Sequence, residues 1–268
     1  MKKLGFMQGR LVPAEDKMIQ SFPWKNWKKE FEISSKLGLH LIEWTIDRKK
    51  FFQNPINTNN GRKEINNLKK KYKIKVESVT ADFFMQSPFF KKNLKTEIKI
   101  LKTFIKNCSK LKIKYIICPL VDNSSIENEF QEKNLINKLL KLNTLISKKK
   151  LKILFESDYS PIMLKNFIKK FPKKTFGINY DTGNSAGLGF DFEEEKKYFS
   201  RVKNIHIKDK KYKSSSVKIG TGDYNFTKFF NFLKKKKYNG NFIFQTARIR
   251  NNSKMMKYNI NFLKKKIF

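Results

Sequence analysis

Residues 152–157 read Lys-Ile-Leu-Phe-Glu-Ser, residues 176–181 read Phe-Gly-Ile-Asn-Tyr-Asp, and residues 203–208 read Lys-Asn-Ile-His-Ile-Lys. Each run is short, rich in β-branched or aromatic residues, and bounded by Lys, Asn, Pro or Gly, the pattern of a buried strand. Glu156, Asp181 and His206 recur at intervals of 25 residues, about the length of one strand-plus-helix unit. Working outward, similar runs predict strands at 4–9, 41–46, 75–82, 114–120 and 241–246. Between them lie helix-period stretches at 25–37, 61–72, 91–111, 128–149, 160–170 and 225–237, with a last one at 253–266 and the weakest around 192–199. In 225–237 the residues Phe226, Phe229, Phe230 and Leu233 form an i, i+3, i+4, i+7 stripe. Eight strands, each followed by a helix, predict an α/β fold of the (β/α)8 TIM-barrel type, with residues 1–268 as a single domain. A doubly wound open sheet would ask for a Gly-rich loop after the first strand, and Gly5 and Gly9 do not make one.

Composition narrows the function classes. The chain of 268 residues carries a net charge of +37 from 60 Lys and Arg against 23 Asp and Glu, a balance that raises the question of a polyanionic partner. Only six of the basic residues are Arg, the residue that reads phosphates and bases bidentately. Lys accompanies 26 Asn and 26 Phe, all encoded by A/T-rich codons, so base composition alone produces the excess. Runs such as 148–150, 234–237 and 264–266 fall at predicted helix C-termini, where cations oppose the macrodipole. These features argue against nucleic acid as a partner, although anionic small molecules should be attracted. No apolar run approaches the ~18 residues that cross a bilayer, and the start lacks the apolar stretch of a signal peptide. Cys108 and Cys118 make neither a CxxC pair nor a disulfide framework. A soluble cytoplasmic protein without a membrane partner is expected.

Barrel enzymes gather their chemistry at the C-terminal ends of the strands. Those ends carry Gln8 and Arg10, Glu43, Asp82, Glu156, Asp181, His206 and, near the eighth, Gln245. Two carboxylates, an imidazole and a carbonyl oxygen make a mixed O/N site suited to Mn²⁺, Mg²⁺, Co²⁺ or Zn²⁺. Each residue singly also fits a plainer part, since Asp or Glu at a strand end can cap the next helix and a lone His can be satisfied in a core. The coincidence of three ligand types on consecutive strands favours a divalent-metal site. His40 precedes the second strand, at the other barrel end, and reads as structural.

At these residues the chain resembles the xylose isomerase-like TIM-barrel superfamily, in particular its sugar phosphate isomerase/epimerase branch, over nearly its whole length. Phe6-Met-Gln-Gly-Arg-Leu11 and Gln20-Ser-Phe-Pro-Trp24 to Trp27 resemble its N-terminal signature. Gly38-Leu39 with Leu41-Ile-Glu-Trp44 resembles its second strand. The later motifs are Phe155-Glu-Ser157, Asp181-Thr-Gly-Asn184, Asn204-Ile-His-Ile-Lys-Asp209 and Gly220-Thr-Gly-Asp223. The resemblance implies that a divalent metal is held by Glu156, Asp181, His206 and Gln245. In the family the fourth ligand is a Glu, and in its ketose epimerases the two glutamates remove and return a proton beside a carbonyl, through a cis-enediolate.

Gln245 keeps a ligating oxygen but cannot take a proton. Either Glu156 alone shuttles a proton between adjacent carbons, as in aldose–ketose isomerisation, or Glu43, Asp82 or Lys208 assists. Gln8, Arg10, Glu43, Asp82, Lys208, Lys210 and Arg248 are the candidate substrate contacts, with Lys210 standing where Arg is frequent and Asn184 where His is frequent. Gly220 and Gly222 would let a loop approach a phosphate, although most such pairs are turns. The function implied is a metal-dependent isomerase or epimerase of a small sugar or sugar phosphate, and a homo-oligomer is compatible with it. Two alternatives stay open. One is an endonuclease IV-like phosphodiesterase on abasic DNA, whose trinuclear zinc cluster needs more than two histidines. The other is a non-catalytic sugar-binding barrel, suggested by Gln245, and dehydration or lyase chemistry would share the enediolate start.

Overall fold

The computed structural model describes residues 3–15, 20–91, 95–247 and 252–267. Eight parallel strands close into a barrel: β1 (Leu4–Met7), β2 (Leu41–Thr45), β3 (Lys75–Thr80), β4 (Tyr115–Leu120), β5 (Lys152–Ser157), β6 (Phe176–Asp181), β7 (Val202–Ile207) and β8 (Asn241–Phe244). β1 pairs with both β2 and β8, which seals the ring. The expected (β/α)8 barrel is therefore the fold. Among the described residues no helix is long and apolar enough to cross a membrane.

The strands form where the sequence alternates between two destinations. Outward-facing residues such as Phe155 and Phe176 pack with Phe167 and Phe171 against the helical ring, at centroid distances of 4.7–6.0 Å. Inside the ring the apolar filling is small, a separate cluster of Met7, Leu41 and Ile243. Gly5 belongs to this tight region, because a Cβ there would sit 2.5 Å from the Leu41 Cβ. Ile117 and Leu154, in register with Thr80, add apolar volume inside the ring, and the polar residues there include Glu43, Thr80, Asn179, Asn204 and His206, all buried.

Helices begin where the sequence supplies caps. Thr58, Asn128, Ser160 and Asn225 each accept a backbone N–H of the first turn, and Pro161 occupies the first turn after Ser160. Helix ends are less conventional. Lys73, Lys112, Lys150 and Lys237 take left-handed conformations (φ 50° to 59°) just after helices, where glycine is usual. Each costs on the order of 1 kcal/mol relative to an unstrained residue, which the surrounding packing absorbs.

Three local departures have physical reasons. The stretch 128–149 is two helices, Glu129–Leu140 and Asn143–Lys148, because Leu142 N bonds Leu139 O at 2.9 Å and tightens one turn without Pro or Gly to mark it. The helix Thr182–Leu188 directly after β6 was not expected, since Gly183 and Gly187 lower its propensity. It is started by Asp181, whose Oδ1 accepts from Gly183 N at 2.7 Å and Asn184 N at 2.9 Å. The weak stretch 192–199 is one α-turn, Phe192–Glu195, followed by 3₁₀ turns over Lys196–Arg201.

Glu195 fastens that turn to the outer face of β6. Its carboxylate accepts from Tyr180 Oη at 2.6 Å, Ser185 Oγ at 2.8 Å and Tyr198 Oη at 3.2 Å. Burial outweighs the three hydroxyls and pushes the carboxyl up to about 7. The folded chain thus holds this proton more tightly than the unfolded one, and stability should fall as pH rises through the interval from about 4.5 to about 7. Urea unfolding of wild type and Glu195→Gln across pH 4.5–8 should show the wild type losing roughly 3 kcal/mol relative to the variant. Parallel pH profiles would contradict this account.

Candidate metal centre

Strand register brings the three ligand types together. Asp181 pairs directly with His206 across β6 and β7, and Asn179 pairs with Asn204 below them. Lys203 is an extra residue between the paired Val202 and Asn204, a bulge that sets which β7 residues face inward. The Phe155–Ile178 pair places Glu156 one residue further on, beside Asn179 rather than Asp181. Asp181 and His206 therefore stand at equal heights, while Glu156 reaches the site from below on its longer side chain. Glu156, Asp181 and His206 each offer a ligand atom, and these atoms lie within 4.8 Å of one another.

The imidazole is clamped on both sides. Nε2 lies 2.6 Å from Glu43 Oε1, and Nδ1 lies 3.0 Å from Glu156 Oε2 and 3.9 Å from Asp181 Oδ2. Glu43 is itself held by Thr80 Oγ1 at 2.7 Å and Asn204 Nδ2 at 2.9 Å. Burial disfavours its charge, but the His206 ring and the Thr80 and Ser78 hydroxyls outweigh it and lower the carboxyl below its ordinary value. Burial likewise opposes a charge on His206, yet the Glu43 and Glu156 carboxylates push the ring up to about 10. A carboxylate on one ring nitrogen leaves Nδ1 as the ligand atom once a metal displaces the proton.

The amides complete the layer. Asn179 Nδ2 donates to Glu156 Oε2 at 2.8 Å, and Asn184 Nδ2 donates to Oε1 at 3.0 Å. Asn204 Nδ2 donates to Asn179 Oδ1 at 2.7 Å. Asp181 divides its oxygens between two tasks: Oδ1 caps the following helix, while buried Oδ2 lies 3.1 Å from Lys208 Nζ and 3.9 Å from His206 Nδ1. Burial disfavours the Asp181 charge, and Lys208 and His206 more than offset it. Gly183 makes this pairing feasible, since a Cβ there would lie 2.7 Å from the Lys208 Cε.

These residues fit a divalent ion. The donors are hard oxygens and one nitrogen, and the buried Asp181 Oδ2 is met by the Lys208 ammonium. Three acidic side chains, Glu43, Glu156 and Asp181, face one ammonium, that of Lys208. The shortfall of two positive charges is what a divalent cation supplies when His206 is neutral.

Above the layer a cleft of about 860 Å³ opens, lined by Gln20, Asp82, Glu156, Lys208, Lys210 and Gln245 among others. Gln245 Oε1 accepts from Lys208 Nζ at 3.3 Å, and its Nε2 donates to Gln20 Oε1 at 3.4 Å. Arg10 is buried and donates through Nη2 to Gln20 Oε1 at 3.2 Å. Gln8 and Glu43 are fully buried and do not line the cleft; Gln8 Oε1 accepts from Thr45 N at 3.3 Å. Arg248 lies outside the described residues. Gly220 N and Gly222 N both donate to the buried Asp209 Oδ2, at 2.8 and 2.9 Å, so this pair cradles a carboxylate of the chain itself. His40 stands just before β2, at the opposite end of the barrel from the cleft. Gln20, Asn179 and Asn204 belong to the site without having been singled out. The two asparagines had a signal, since both precede a ligand by two residues and share its face of the strand.

Comparison with known proteins agrees with this architecture. No functionally curated protein sequence matched the chain. Among solved structures, the IolI protein with a binding zinc atom is similar at 16% identity, with TM-score 0.78, covering 100% of this chain and 98% of that one. A xylose isomerase domain protein from Planctomyces limnophilus is similar at 16% identity and TM-score 0.76, covering 98% and 96%. D-allulose 3-epimerase from Methylomonas sp. in complex with D-allulose is similar at 14% identity and TM-score 0.72, covering 99% and 98%. At such identities the likeness concerns the fold. The family model described as xylose isomerase-like TIM barrel matches residues 31–266, from the first helix to the last. By that match, on a closed ring of eight parallel strands, the chain belongs to the xylose isomerase-like TIM barrel family.

Proposed function

We propose that the protein is a divalent-metal-dependent isomerase or epimerase of a small sugar or sugar phosphate. The observation that carries this reading is the convergence of Glu156, Asp181 and His206 Nδ1, whose ligand atoms lie within 4.8 Å of one another in a buried layer. Glu156, Asp181 and His206 would hold the ion, with the Gln245 amide oxygen as a fourth donor, and the ion would supply a Lewis acid for the negative charge that develops beside a carbonyl. The solved structures similar to this one include sugar epimerases, which favours the same chemistry.

The residues of the chain then divide the work. Glu156 stands at the boundary between the buried layer and the cleft, and it is the one carboxylate of the ligand group that also lines the cleft. It would take a proton from a carbon next to the carbonyl and return it to the neighbouring carbon. Asn179 and Asn184 orient it through one oxygen each. Glu43 acts behind the site, fixing the His206 ring. Lys208 and Lys210 line the cleft where substrate oxygens would lie. Gln245, uncharged, would orient the substrate without exchanging a proton. The endonuclease-like alternative lacks support, because His40 lies at the far end of the barrel and only one metal-type group occurs among the described residues.

Titration calorimetry with Mn²⁺ or Zn²⁺ should show one saturable site that is lost in His206→Ala and Glu156→Gln. Glu43→Gln, which keeps every ligand, should weaken it roughly 10- to 100-fold. Equal affinity in wild type and His206→Ala would remove the metal centre. With metal bound, wild type should exchange a carbon-bound proton of a ketose such as D-allulose, D-tagatose or L-ribulose with deuterated water, and Glu156→Gln should not. Exchange by Gln245→Glu alone would instead favour a sugar-binding barrel.

A further inference from the structure

Gln245 cannot transfer a proton, and Asp82 lines the same cleft as Glu156. We propose that Asp82 is a second catalytic residue, a neutral carboxylic acid that gives a proton to the substrate oxygen as Glu156 withdraws one from carbon; this rests on the isomerase reading above. The first observation is what Asp82 does not do. It sits at the N-cap of the short helix Phe83–Gln86, where Asp ordinarily accepts a backbone N–H, yet its side chain makes no capping bond. Asp181, at the equivalent place after β6, does cap. Asp82 instead lines the cleft while only 4% exposed.

Burial and neighbouring carboxylates favour the protonated form, and the amide network orients it. Gln20 Oε1 accepts from Arg10 Nη2 and Gln245 Nε2, so Gln20 must turn its NH₂ toward Asp82, and Nε2 donates to Oδ2 at 2.6 Å. Oδ2 is then the carbonyl oxygen of the acid, and the hydroxyl on Oδ1 is left to the cleft. Charged groups approach from three sides: Asp47 beyond β2, Glu156 on β5 and Arg10 beyond β1. Burial and the Asp47 and Glu156 carboxylates push Asp82 well above the carboxylate range, more than Gln20 and Arg10 bring it back. Asp47 is fixed in that position by Phe22 N at 2.9 Å and Gln86 Nε2 at 3.1 Å. The other candidates for assistance are committed elsewhere. Glu43 is sealed beneath His206, and the Lys208 ammonium bridges Asp181 and Gln245. A carboxylate base and a neutral carboxylic acid in one cleft are a recurring acid–base pair.

The proton count closes. Glu156 takes the hydrogen from the hydroxyl-bearing carbon, the C–H pair becomes the C=C bond, and the carbonyl π pair takes the Asp82 proton to give an enediol. Glu156 then returns its proton to the former carbonyl carbon while the other enediol hydroxyl returns one to Asp82. The carbonyl has moved one carbon, and both side chains are restored.

Asp82→Asn keeps the carbonyl that Gln20 contacts and keeps an N–H toward the cleft, but it has no proton to transfer. The metal-loaded variant should retain wild-type metal affinity and a KM within about threefold, with kcat down by roughly 10²–10⁴. Difference infrared spectra at pH 7, without substrate, should show a protonated carboxylic acid band in wild type that Asp82→Asn lacks. A variant with more than a third of wild-type kcat, or identical infrared spectra, overturns the role of Asp82 and leaves the isomerase reading standing. A wild type that binds metal but exchanges no substrate proton overturns both.

Discussion

The contact between His206 and Glu43, 2.6 Å apart and fully buried, is the constraint around which the barrel interior is arranged. A charge in that position is tolerable only when paired and hydrogen-bonded. Glu43 on β2 answers His206 on β7 across the barrel, and Thr80 on β3 and Asn204 on β7 complete the carboxylate's shell. Three strands thus contribute buried polar groups that satisfy one another. The face of the ring that could hold a metal is set by what lies behind it.

The charge of the whole chain and the charge of the site point in opposite directions. The net charge is +37, yet Asp82, Asp122, Glu156 and Asp158 all line the cleft. Lysines serve other ends, closing helices even in left-handed conformations that glycine would occupy more easily. The excess of positive charge therefore says little about the ligand. The cleft sets acidic groups beside Lys208 and Lys210, a mixture of donors and acceptors that suits the hydroxyl-rich substrate proposed above.

Gln245 shows how one neutral side chain changes the meaning of its neighbours. A carboxylate there would meet the Lys208 ammonium as a second ion-pair partner; the amide instead links Lys208 to Gln20, and through Gln20 to Arg10 and Asp82. The belt of amides across the mouth passes orientation from one side of the cleft to the other. It also leaves Asp82 free of any cationic partner within hydrogen-bonding distance among the described residues.

Periodicity by itself determined the barrel: eight β-type runs separated by amphipathic helices leave few other ways to bury so many apolar side chains, and the 25-residue spacing of Glu156, Asp181 and His206 placed them at strand ends. Local signals also located most helix starts, because caps act within one turn. What tertiary structure alone decided was which polar residues meet. Glu43 lies 163 residues from His206, and Gln20 lies 62 residues from Asp82 and 225 from Gln245. No short-range pattern encodes such pairs. The bulge at Lys203, the helix launched by Asp181 and the retreat of Gln8 and Glu43 from the cleft follow from register and closure of the ring. Those are properties of all eight strands together, so reading any one of them could not reveal them.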